Sequence, residues 1–506
     1  MTAALRRRLA LLASVTGAMI VALDGTVLMV AQPSLQRDLD ASLAQVQWTS
    51  TAYLLAVAAL LVIAGRLGDR YGHSRMLFIG VLGFAAASAG IALAPAVGWV
   101  IALRAVQGVF GALLQPATLA LLRLAYPADR LGTPVAIRTS AIGVAAAAGP
   151  VLGGALVAHL GWRAVFWINI PVALAIAALK VAVWTPAPSR SSTQRLNLTG
   201  AILLATALAI LVHTLSGIPT HGWNTAPTWV GLAALAGTAA AFVGHERRTE
   251  HPIVAPAVAR SVPVTASVAI LLVTTGGMFG ALFVTTFFFQ DILGLDPLAS
   301  GLRALPLTAL MVLGAPVAGA ALRRYSPRST AIVGTALVIL GIGGLGIGGL
   351  GIGDLGVGGL SRLASAGTWA VTGTAFAFAA LGAGFATVMV TATATVVGEA
   401  PPGYAGVIGG LKQTAVNVGP ALGIAVAAGM MTPRPPTAAA QTADMTPDMS
   451  ASATAPTLMF LAGLTALALL PAWLLPTRSA RSAERDTTTP EAHDLHAVAE
   501  PGRSAG

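Results

Sequence analysis

The chain alternates between long apolar stretches and short polar segments. An apolar stretch of about 20 residues is long enough to cross the hydrocarbon core of a bilayer as a helix. Fourteen such spans are predicted, at residues 9–31, 48–65, 76–94, 98–122, 135–158, 164–185, 197–216, 227–244, 263–290, 299–322, 329–350, 367–397, 404–431 and 455–476. The pattern therefore predicts an all-α membrane protein with fourteen transmembrane helices.

Arginines are concentrated in alternate loops between these spans. They precede span one and follow spans two, four, six, eight, ten and fourteen, whereas the other loops hold few, namely Arg37, Arg163, Arg362 and Arg434. Basic residues accumulate in the cytoplasmic loops of membrane proteins. Both termini are therefore expected in the cytoplasm.

The composition narrows the class of protein. Of the 506 residues 56% are hydrophobic and only 9% are charged, against about 25% charged in soluble proteins. The net charge of +11 does not indicate nucleic-acid binding, because the arginines form short clusters between apolar runs. Cysteine is absent, which excludes disulfides and thiolate metal sites. No metal site or cofactor is predicted, and no HExxH, nucleophile elbow, P-loop or catalytic carboxylate pair indicates an enzyme.

Two segments of the chain recur later in the same order. AGRLGDRYGHSR at 64–75 recurs as AGAALRRYSPR at 318–328, and GPVLGGALV at 149–157 recurs as GPALGIAVA at 419–427. We therefore predict two homologous six-span bundles, at 1–185 and 261–476, with an inserted helix pair and its loops at 186–260 and a disordered cytoplasmic tail at 477–506. In transporters built from such repeats, the substrate site lies near the bilayer midplane between them.

Several motifs together resemble the fourteen-span drug:proton antiporters of the major facilitator superfamily. They are LDGTVLMVAQPSLQRDL at 23–39, GRLGDRYGHSR at 65–75, LRAVQG at 103–108, GVAAAAGPVLGG at 143–154, GWRAVFWINIP at 161–171 and FQDILGLDPLASGLRALP at 289–306. The resemblance implies the major facilitator fold and a monomer in the lipid bilayer of the cytoplasmic (inner) membrane of a bacterium. It also implies export of a hydrophobic small molecule, such as an antibiotic or toxic metabolite, in exchange for protons. A nutrient or metabolite importer of the same fold is the alternative. The fifth-span motif and the two inserted spans count against it.

An acid and a base interrupt two apolar spans. Asp24 lies in span one and Arg104 in span four, each about 10 Å below the outer surface if a helix rises about 1.5 Å per residue. Intramembrane charges usually face a bundle interior or a water-filled cavity, so the two side chains are expected to pair. Burial favours the protonated carboxyl and a neighbouring arginine favours the charged form, which suits a proton-coupling site. The alternative is a static pair that locks the two helices together.

The segment after span two is a candidate conformational latch. Its glycines allow a tight turn, and an acidic side chain is favoured at the amino end of a helix, for which span thirteen is the candidate. The latch residues are Gly65, Gly68, Asp69, Arg70, Gly72 and Arg75. The alternative is a basic loop that only orients the chain.

Span five carries the antiporter motif of the resemblance. Small residues let helices approach closely, and proline removes a helix hydrogen bond, so the motif could form a dry seam between the bundles. Its residues are Gly143, Gly149, Pro150, Gly153 and Gly154. Generic helix packing is the alternative.

Polar residues elsewhere in the spans are candidates for the substrate cavity. They are Gln32, Gln115, Gln413 and Asn417, while Lys412 is expected to extend its amine to the cytoplasmic interface. Because spans nine to thirteen lack a clear acidic residue at mid-depth, neutral or monocationic amphipathic substrates are expected.

Overall fold

A computed structural model gives the fold and describes residues 3–127, 132–182, 197–222, 224–250, 252–253, 258, 260–346, 367–398, 405–431 and 448–477. All regular elements in these ranges are helical, so the all-α prediction is confirmed for them. The glycine-rich residues 347–366 and nearly all of the predicted tail lie outside the described residues.

The helices fall into two bundles and a pair between them. The first bundle comprises α1 (Ala3–Asp38), α2 (Leu43–Tyr71), α3 (His73–Ala92), α4 (Val97–Ala125), α5 (Gly132–Leu160), α6 (Ala164–Trp167) and α7 (Asn169–Ala182). The pair is α8 (Leu198–His221) and α9 (Ala226–Arg248). The second bundle comprises α10 (Val262–Phe287) with a π-helical turn (Phe288–Ile292), α11 (Pro297–Arg303), α12 (Leu305–Arg324), α13 (Pro327–Gly344), α14 (Gly367–Gly398), α15 (Ala405–Met431), α16 (Asp448–Ala466) and α17 (Leu469–Trp473).

Twelve helical segments in the described part of the chain are long and apolar enough to cross a membrane. α2 is not among them, and the apolar stretch Ala164–Leu179 in α6 and α7 is shorter than the others. α2 carries the polar sequence QVQWTSTAY near its start and ends with charged residues. Length and composition of the helices therefore give twelve spans, where the sequence pattern predicts fourteen.

The two bundles repeat the same packing. α1 packs on α5, α2 on α4, and α3 on α4; in the second bundle α10 packs on α15, α12 on α14, and α13 on α14. The GPxLG segment makes the same contact in each copy. A side chain at Gly149 would collide with Thr26 Oγ1 of α1, and one at Gly419 would collide with Thr275 Oγ1 of α10. The duplicated sequence thus corresponds to a duplicated helix contact.

The helix pair lies outside this core. α8 packs against α2 and α15, where Val212 is buried with Leu55 and Ala421, and α9 packs on α8. Asn197 joins the pair, because its amide nitrogen donates to Glu246 Oε1 at 2.8 Å. Most of α9 is exposed in the isolated chain, so its surface is available to lipid.

The assembly formed by the two bundles has two ends along the helix axes. At one, which we call the amino-terminal side, the start of α1 meets the end of α4, and the Tyr126 hydroxyl donates to the Arg7 carbonyl at 3.1 Å. At the other, the opposite side, Arg163 pairs with Asp38 at 2.5 Å. The two bundles touch on the opposite side, where the Gln290 amide donates to the Val30 carbonyl at 2.9 Å.

Candidate functional site

A buried ion pair lies at the centre of the first bundle. Arg104 Nη1 of α4 lies 2.5 Å from Asp24 Oδ2 of α1, and the two side chains are 1% and 0% exposed. Arg104 Nε also donates to the Thr49 carbonyl of α2 at 2.9 Å. The structure thus brings together the predicted acid and base. Since the desolvation of two buried charges can exceed their attraction, such a pair is weak evidence for added stability.

Neutral polar side chains complete the surroundings of the carboxylate. Asn169 Nδ2, at the start of α7, donates to Asp24 Oδ1 at 2.9 Å, and Gln107 Nε2 reaches the same oxygen at 3.3 Å. Gln107 Oε1 accepts from Arg104 Nη1 at 2.6 Å, while its Nε2 donates to Ser88 Oγ at 2.7 Å. This network joins four helices around one acid.

Sequence reasoning missed Asn169, Gln107 and Ser88 as members of the site. Gln107 and Asn169 lie inside motifs that the sequence analysis identified, LRAVQG and GWRAVFWINIP. Their polar character within apolar spans was a usable signal. Their common contact with Asp24 depends on helix packing, which no local pattern contains.

Aromatic rings enclose the guanidinium. Arg104 Cζ lies 4.3 Å from the centre of the Tyr53 ring and 5.9 Å from that of Phe166. Rings at these distances attract a cation through their electron-rich faces. The rings also place apolar surface beside the ion pair. Because the local dielectric constant is low there, the electrostatic interaction of Asp24 with its neighbours is strong.

The side chains of Asp24 and Arg104 meet as expected, but the predicted end of span one needs a correction. Span one was predicted to end at Ala31, but α1 continues through Pro33 to Asp38. Asp24 therefore lies fourteen residues before the end of its helix, whereas Arg104 lies seven residues after the start of α4 at Val97. The side chains meet because α1 extends beyond the start of α4 on the opposite side.

The predicted latch segment is mostly helical. α2 continues to Tyr71, so only Gly72, with φ +93°, forms the connection to α3, and Arg75 lies in the first turn of α3. Gly65, Gly68 and Arg70 belong to the last two turns of α2. The prediction of a loop was wrong because α2 ends at Tyr71, six residues after the predicted end of span two at residue 65. The Asp69 side chain and residues 399–404, before α15, lie outside the described structure.

The antiporter motif contacts two different partners. A Cβ at Gly153 would lie 2.9 Å from the Val27 carbonyl oxygen, so this glycine, like Gly149, packs α5 against α1 within the first bundle. A Cβ at Gly154 would lie 2.5 Å from the Pro297 carbonyl oxygen, and Gly301 of α11 approaches the Pro150 carbonyl. Gly143 has no neighbour within 4 Å of a built Cβ. Of the five motif residues, Pro150 and Gly154 thus make close contacts with the second bundle in the described structure.

The four candidate cavity residues do not form one cluster of contacts. Gln32 is fully buried and donates to Ser50 Oγ at 2.9 Å, leaving Oε1 without a hydrogen-bond partner among the described residues. The Gln115 carbonyl lies near α5, 3.4 Å from Arg138 Nη2. Gln413 is half-buried on α15, and the buried Asn417 Nδ2 has no partner in the described part of the chain. The described residues contain no group of three His, Asp or Glu side chains that could hold a metal.

The sequence of this chain matches a known protein family. The sequence profile of the Major Facilitator Superfamily matches residues 15–424. The chain belongs to the Major Facilitator Superfamily. This is a family of transporters, and the predicted resemblance to its drug-efflux members is confirmed by the relatives described next.

Those relatives are antibiotic resistance and export proteins. The tetracenomycin C resistance and export protein of Streptomyces glaucescens is 39% identical over 446 residues, which cover 88% of this chain and 78% of that protein. The probable actinorhodin transporter of Streptomyces coelicolor is 35% identical over 62% of this chain and 56% of that protein. The puromycin resistance protein pur8 of Streptomyces alboniger is 34% identical over 65% of each. The chain thus spans less than two thirds of the latter two relatives.

Solved transporters of the superfamily share the fold. A bacterial homologue of the human lysosomal transporter Spinster, in an inward-facing conformation, matches with a TM-score of 0.63 and 16% identity over 95% of this chain and 98% of that one. The inward-open xylose transporter XylE from E. coli matches with a TM-score of 0.59 and 15% identity over 94% and 98%. At these identities the likeness shows the fold alone.

Proposed function

We propose that this Major Facilitator Superfamily protein exports a hydrophobic small molecule, such as an antibiotic or toxic metabolite, across the bacterial cytoplasmic membrane in exchange for protons. The buried Asp24–Arg104 pair carries the proposal, because the carboxyl group of Asp24 can bind and release a proton inside an apolar bundle. The relatives named for tetracenomycin C and puromycin resistance support the class of cargo.

The arginine distribution gives the orientation. With both termini in the cytoplasm, the opposite side of the bundle faces outward. The contacts of Gly154 with Pro297 and of Gln290 with Val30 then close the outer side. The site between the bundles would be open to the cytoplasm, where the protein would collect its cargo.

The proposal includes the span count and the domain limits. Fourteen spans are obtained when α2 and the α6–α7 pair cross the membrane with the twelve apolar segments. The bundles would then comprise residues 1–185 and 261–476, with α8 and α9 as the inserted pair. The protein would act as a monomer.

Asp24 would couple proton movement to conformation. Loss of its proton to the cytoplasm leaves a carboxylate that Arg104, Asn169 and Gln107 stabilise. When Asp24 gains a proton from outside, Arg104 loses its charged partner but keeps the Thr49 carbonyl and Gln107 Oε1. Because α1 also carries Val30, which contacts the second bundle, a rearrangement at Asp24 reaches the outer contacts.

The remaining candidate residues take supporting roles. Pro150 and Gly154 would seal the outer seam, and Asp69 with its neighbouring glycines would hold the cytoplasmic end in the outward-facing state by capping α15. Gln32, Gln115, Gln413 and Asn417 would contribute polar contacts to the cargo.

Drug resistance and vesicle transport test the proposal. The full-length protein would be expressed in a drug-sensitive bacterium, and the inhibitory concentrations of tetracenomycin C and puromycin compared with those of an empty vector. In inside-out vesicles, an exporter takes up a cargo found in this way only while a proton gradient exists, and a protonophore abolishes the uptake. Uptake by right-side-out vesicles under the same gradient would instead indicate an importer, and unchanged resistance to both drugs would leave these two without support as cargo.

A further inference from the structure

One aromatic side chain of α2 lies against the Arg104 guanidinium and belongs to none of the motifs that the sequence analysis identified. The centre of the Tyr53 ring is 4.3 Å from Arg104 Cζ, closer than that of Phe166 at 5.9 Å. Tyr53 is only 3% exposed. The contact is therefore made inside the bundle, where the attraction between a cation and an aromatic face is stronger than at an exposed site.

Two glycines of α4 make room for Tyr53. A Cβ at Gly108 would lie 2.6 Å from the Tyr53 carbonyl oxygen, and a Cβ at Gly111 would lie 3.0 Å from the Tyr53 hydroxyl oxygen. Arg104, Gly108 and Gly111 follow one another at intervals of four and three residues, so they share one face of α4. The Tyr53 side chain thus lies along that face, beside Arg104.

The hydroxyl group of Tyr53 does not explain this placement. It is buried and has no hydrogen-bond partner in the described structure, and leaving a buried hydroxyl unpaired costs free energy. The interaction of Tyr53 with Arg104 is therefore made by the face of the ring. A phenylalanine at this position would offer the same face.

The ring matters most when Asp24 carries a proton. Within the ion pair, the negative ring face attracts the Arg104 guanidinium and repels the neighbouring carboxylate, so the two effects partly cancel. Protonation of Asp24 removes the repulsion and leaves a buried cation. The remaining acceptors of Arg104, the Thr49 carbonyl and Gln107 Oε1, are uncharged. The attraction of the ring then acts in full on a charge that has lost its counterion.

We propose that Tyr53 is a positioning residue of the proton-coupling site, and that its ring face holds the Arg104 guanidinium in place while Asp24 is protonated. The guanidinium then stays within reach of the carboxyl group, so the ion pair can form again when the proton leaves. This proposal rests on the proposed function in taking Asp24 as the group that binds the proton.

Stepwise fluorination tests the ring face at nearly constant shape, because fluorine withdraws electrons from the face and weakens its attraction for a cation. Phenylalanine and its mono-, di- and trifluorinated forms would be placed at position 53 of the full-length protein by suppression of a stop codon. The same series would be placed at Phe84. Phe84 is the matched control, because it is buried in the same apolar cluster as Tyr53 and contacts no cation in the described part of the chain.

Unfolding by sodium dodecyl sulfate in mixed micelles measures the contact without requiring transport. Each series would be combined with Asp24→Asn, which imitates the protonated acid, to give a double-mutant cycle. At position 53 we expect trifluorination to raise the unfolding constant about tenfold in the Asp24→Asn protein, and less than about threefold beside the charged carboxylate. At position 84 the two effects should be equal. Equal effects at position 53 would overturn the proposal.

Transport gives a second, separate readout. Initial proton-driven uptake into inside-out vesicles should fall with each added fluorine at position 53, by about tenfold in all. Exchange of labelled for unlabelled cargo without a gradient should not change, whereas a general packing defect would slow both. Tyr53→Phe keeps the ring face and should retain uptake. Constant uptake across the series at position 53, or an equal fall at position 84, would contradict the role of Tyr53.

The two proposals fail separately. If the wild-type protein showed no proton-driven export, the proposed function would be lost, while the unfolding measurements would still decide whether the Tyr53 ring holds Arg104. Conversely, proton-driven export by the wild-type protein with no effect of fluorination at position 53 would leave the export function intact and remove the role of Tyr53.

Discussion

Arg37, the penultimate residue of α1, forms an ion pair with Asp291 in the π-helical turn that follows α10. The pair joins the two bundles on the opposite side, and it lies on the same helix as Asp24. Both side chains are partly exposed, at 55% and 36%. An exposed pair contributes only about 0–1 kcal/mol, which is too little to determine folding but enough to alter the balance between two conformations.

Breaking this pair should open the opposite side more often. We expect Asp291→Asn to increase labelling of a cysteine placed at Ser300 by up to about fivefold, the change that roughly 1 kcal/mol produces. The chain has no native cysteine, so the label reports a single site. The charge exchange Arg37→Asp with Asp291→Arg should restore low labelling. Arg163→Gln is the control, because its partner Asp38 belongs to the same bundle, and equal labelling of all variants would contradict a role for the pair.

Asp24→Asn should abolish proton-driven export and leave the protein inserted. The amide resembles the carboxyl in shape and still offers an oxygen to Asn169, but it cannot exchange a proton. Uptake into inside-out vesicles should fall to the level of vesicles without the protein. Exchange of labelled for unlabelled cargo in the absence of a gradient should persist. If the variant transported at the wild-type rate under a pH gradient, the pair would be a static lock between α1 and α4.

Arg104→Lys should be inactive although it keeps the charge. One ammonium cannot reproduce the planar fork that reaches Asp24, Gln107 and the Thr49 carbonyl together. We expect transport at less than about a tenth of the wild-type rate, since hydrogen bonds to charged groups contribute about 1.5–3 kcal/mol. The measurement is initial uptake at equal protein amount. Wild-type turnover in this variant would show that only the charge matters.

Asn169→Ala should slow transport by removing the 2.9 Å hydrogen bond to Asp24 Oδ1. We expect about a tenfold lower rate, which corresponds to a loss of about 1.4 kcal/mol. Ser88→Ala should have a smaller effect, because Ser88 accepts from Gln107 and Asn169 and does not touch the carboxylate. Rates measured over a series of pH values would compare the two variants. A larger loss for Ser88→Ala than for Asn169→Ala would contradict this order of roles.

Gly154→Val should prevent closure of the outer seam. Even a Cβ at this position would lie 2.5 Å from the Pro297 carbonyl oxygen in the other bundle, so the bundles cannot approach as they do here. We expect a cysteine at Ser300 to be labelled several-fold faster, and export to be lost. Gly143→Ala is the matched control from the same motif, since a Cβ there meets nothing within 4 Å. Slow labelling of Gly154→Val would show that the seam tolerates a side chain.

The sequence by itself determined the class of protein and its two central charges. An apolar stretch long enough to cross the bilayer forms a helix in lipid, because a helix satisfies its own backbone hydrogen bonds. The repeat of GPVLGG as GPALGI predicted duplicated halves, and the two copies make the same contact with Thr26 and Thr275. Asp24 and Arg104 could be identified because placing a charge in an apolar span costs free energy, so such residues usually have a functional role.

Only the tertiary structure decided which side chains meet. Asn169 reaches Asp24 from α7, and Gln290 meets Val30 from the other bundle, across separations in the chain that no local pattern encodes. The sequence also treated the motif glycines as one set, whereas Gly153 packs within its bundle and Gly154 against the other. The physical reason is that hydropathy reports the surroundings of each segment separately, while contacts between helices depend on their crossing, length and rotation. Those are fixed by the packing of the whole chain.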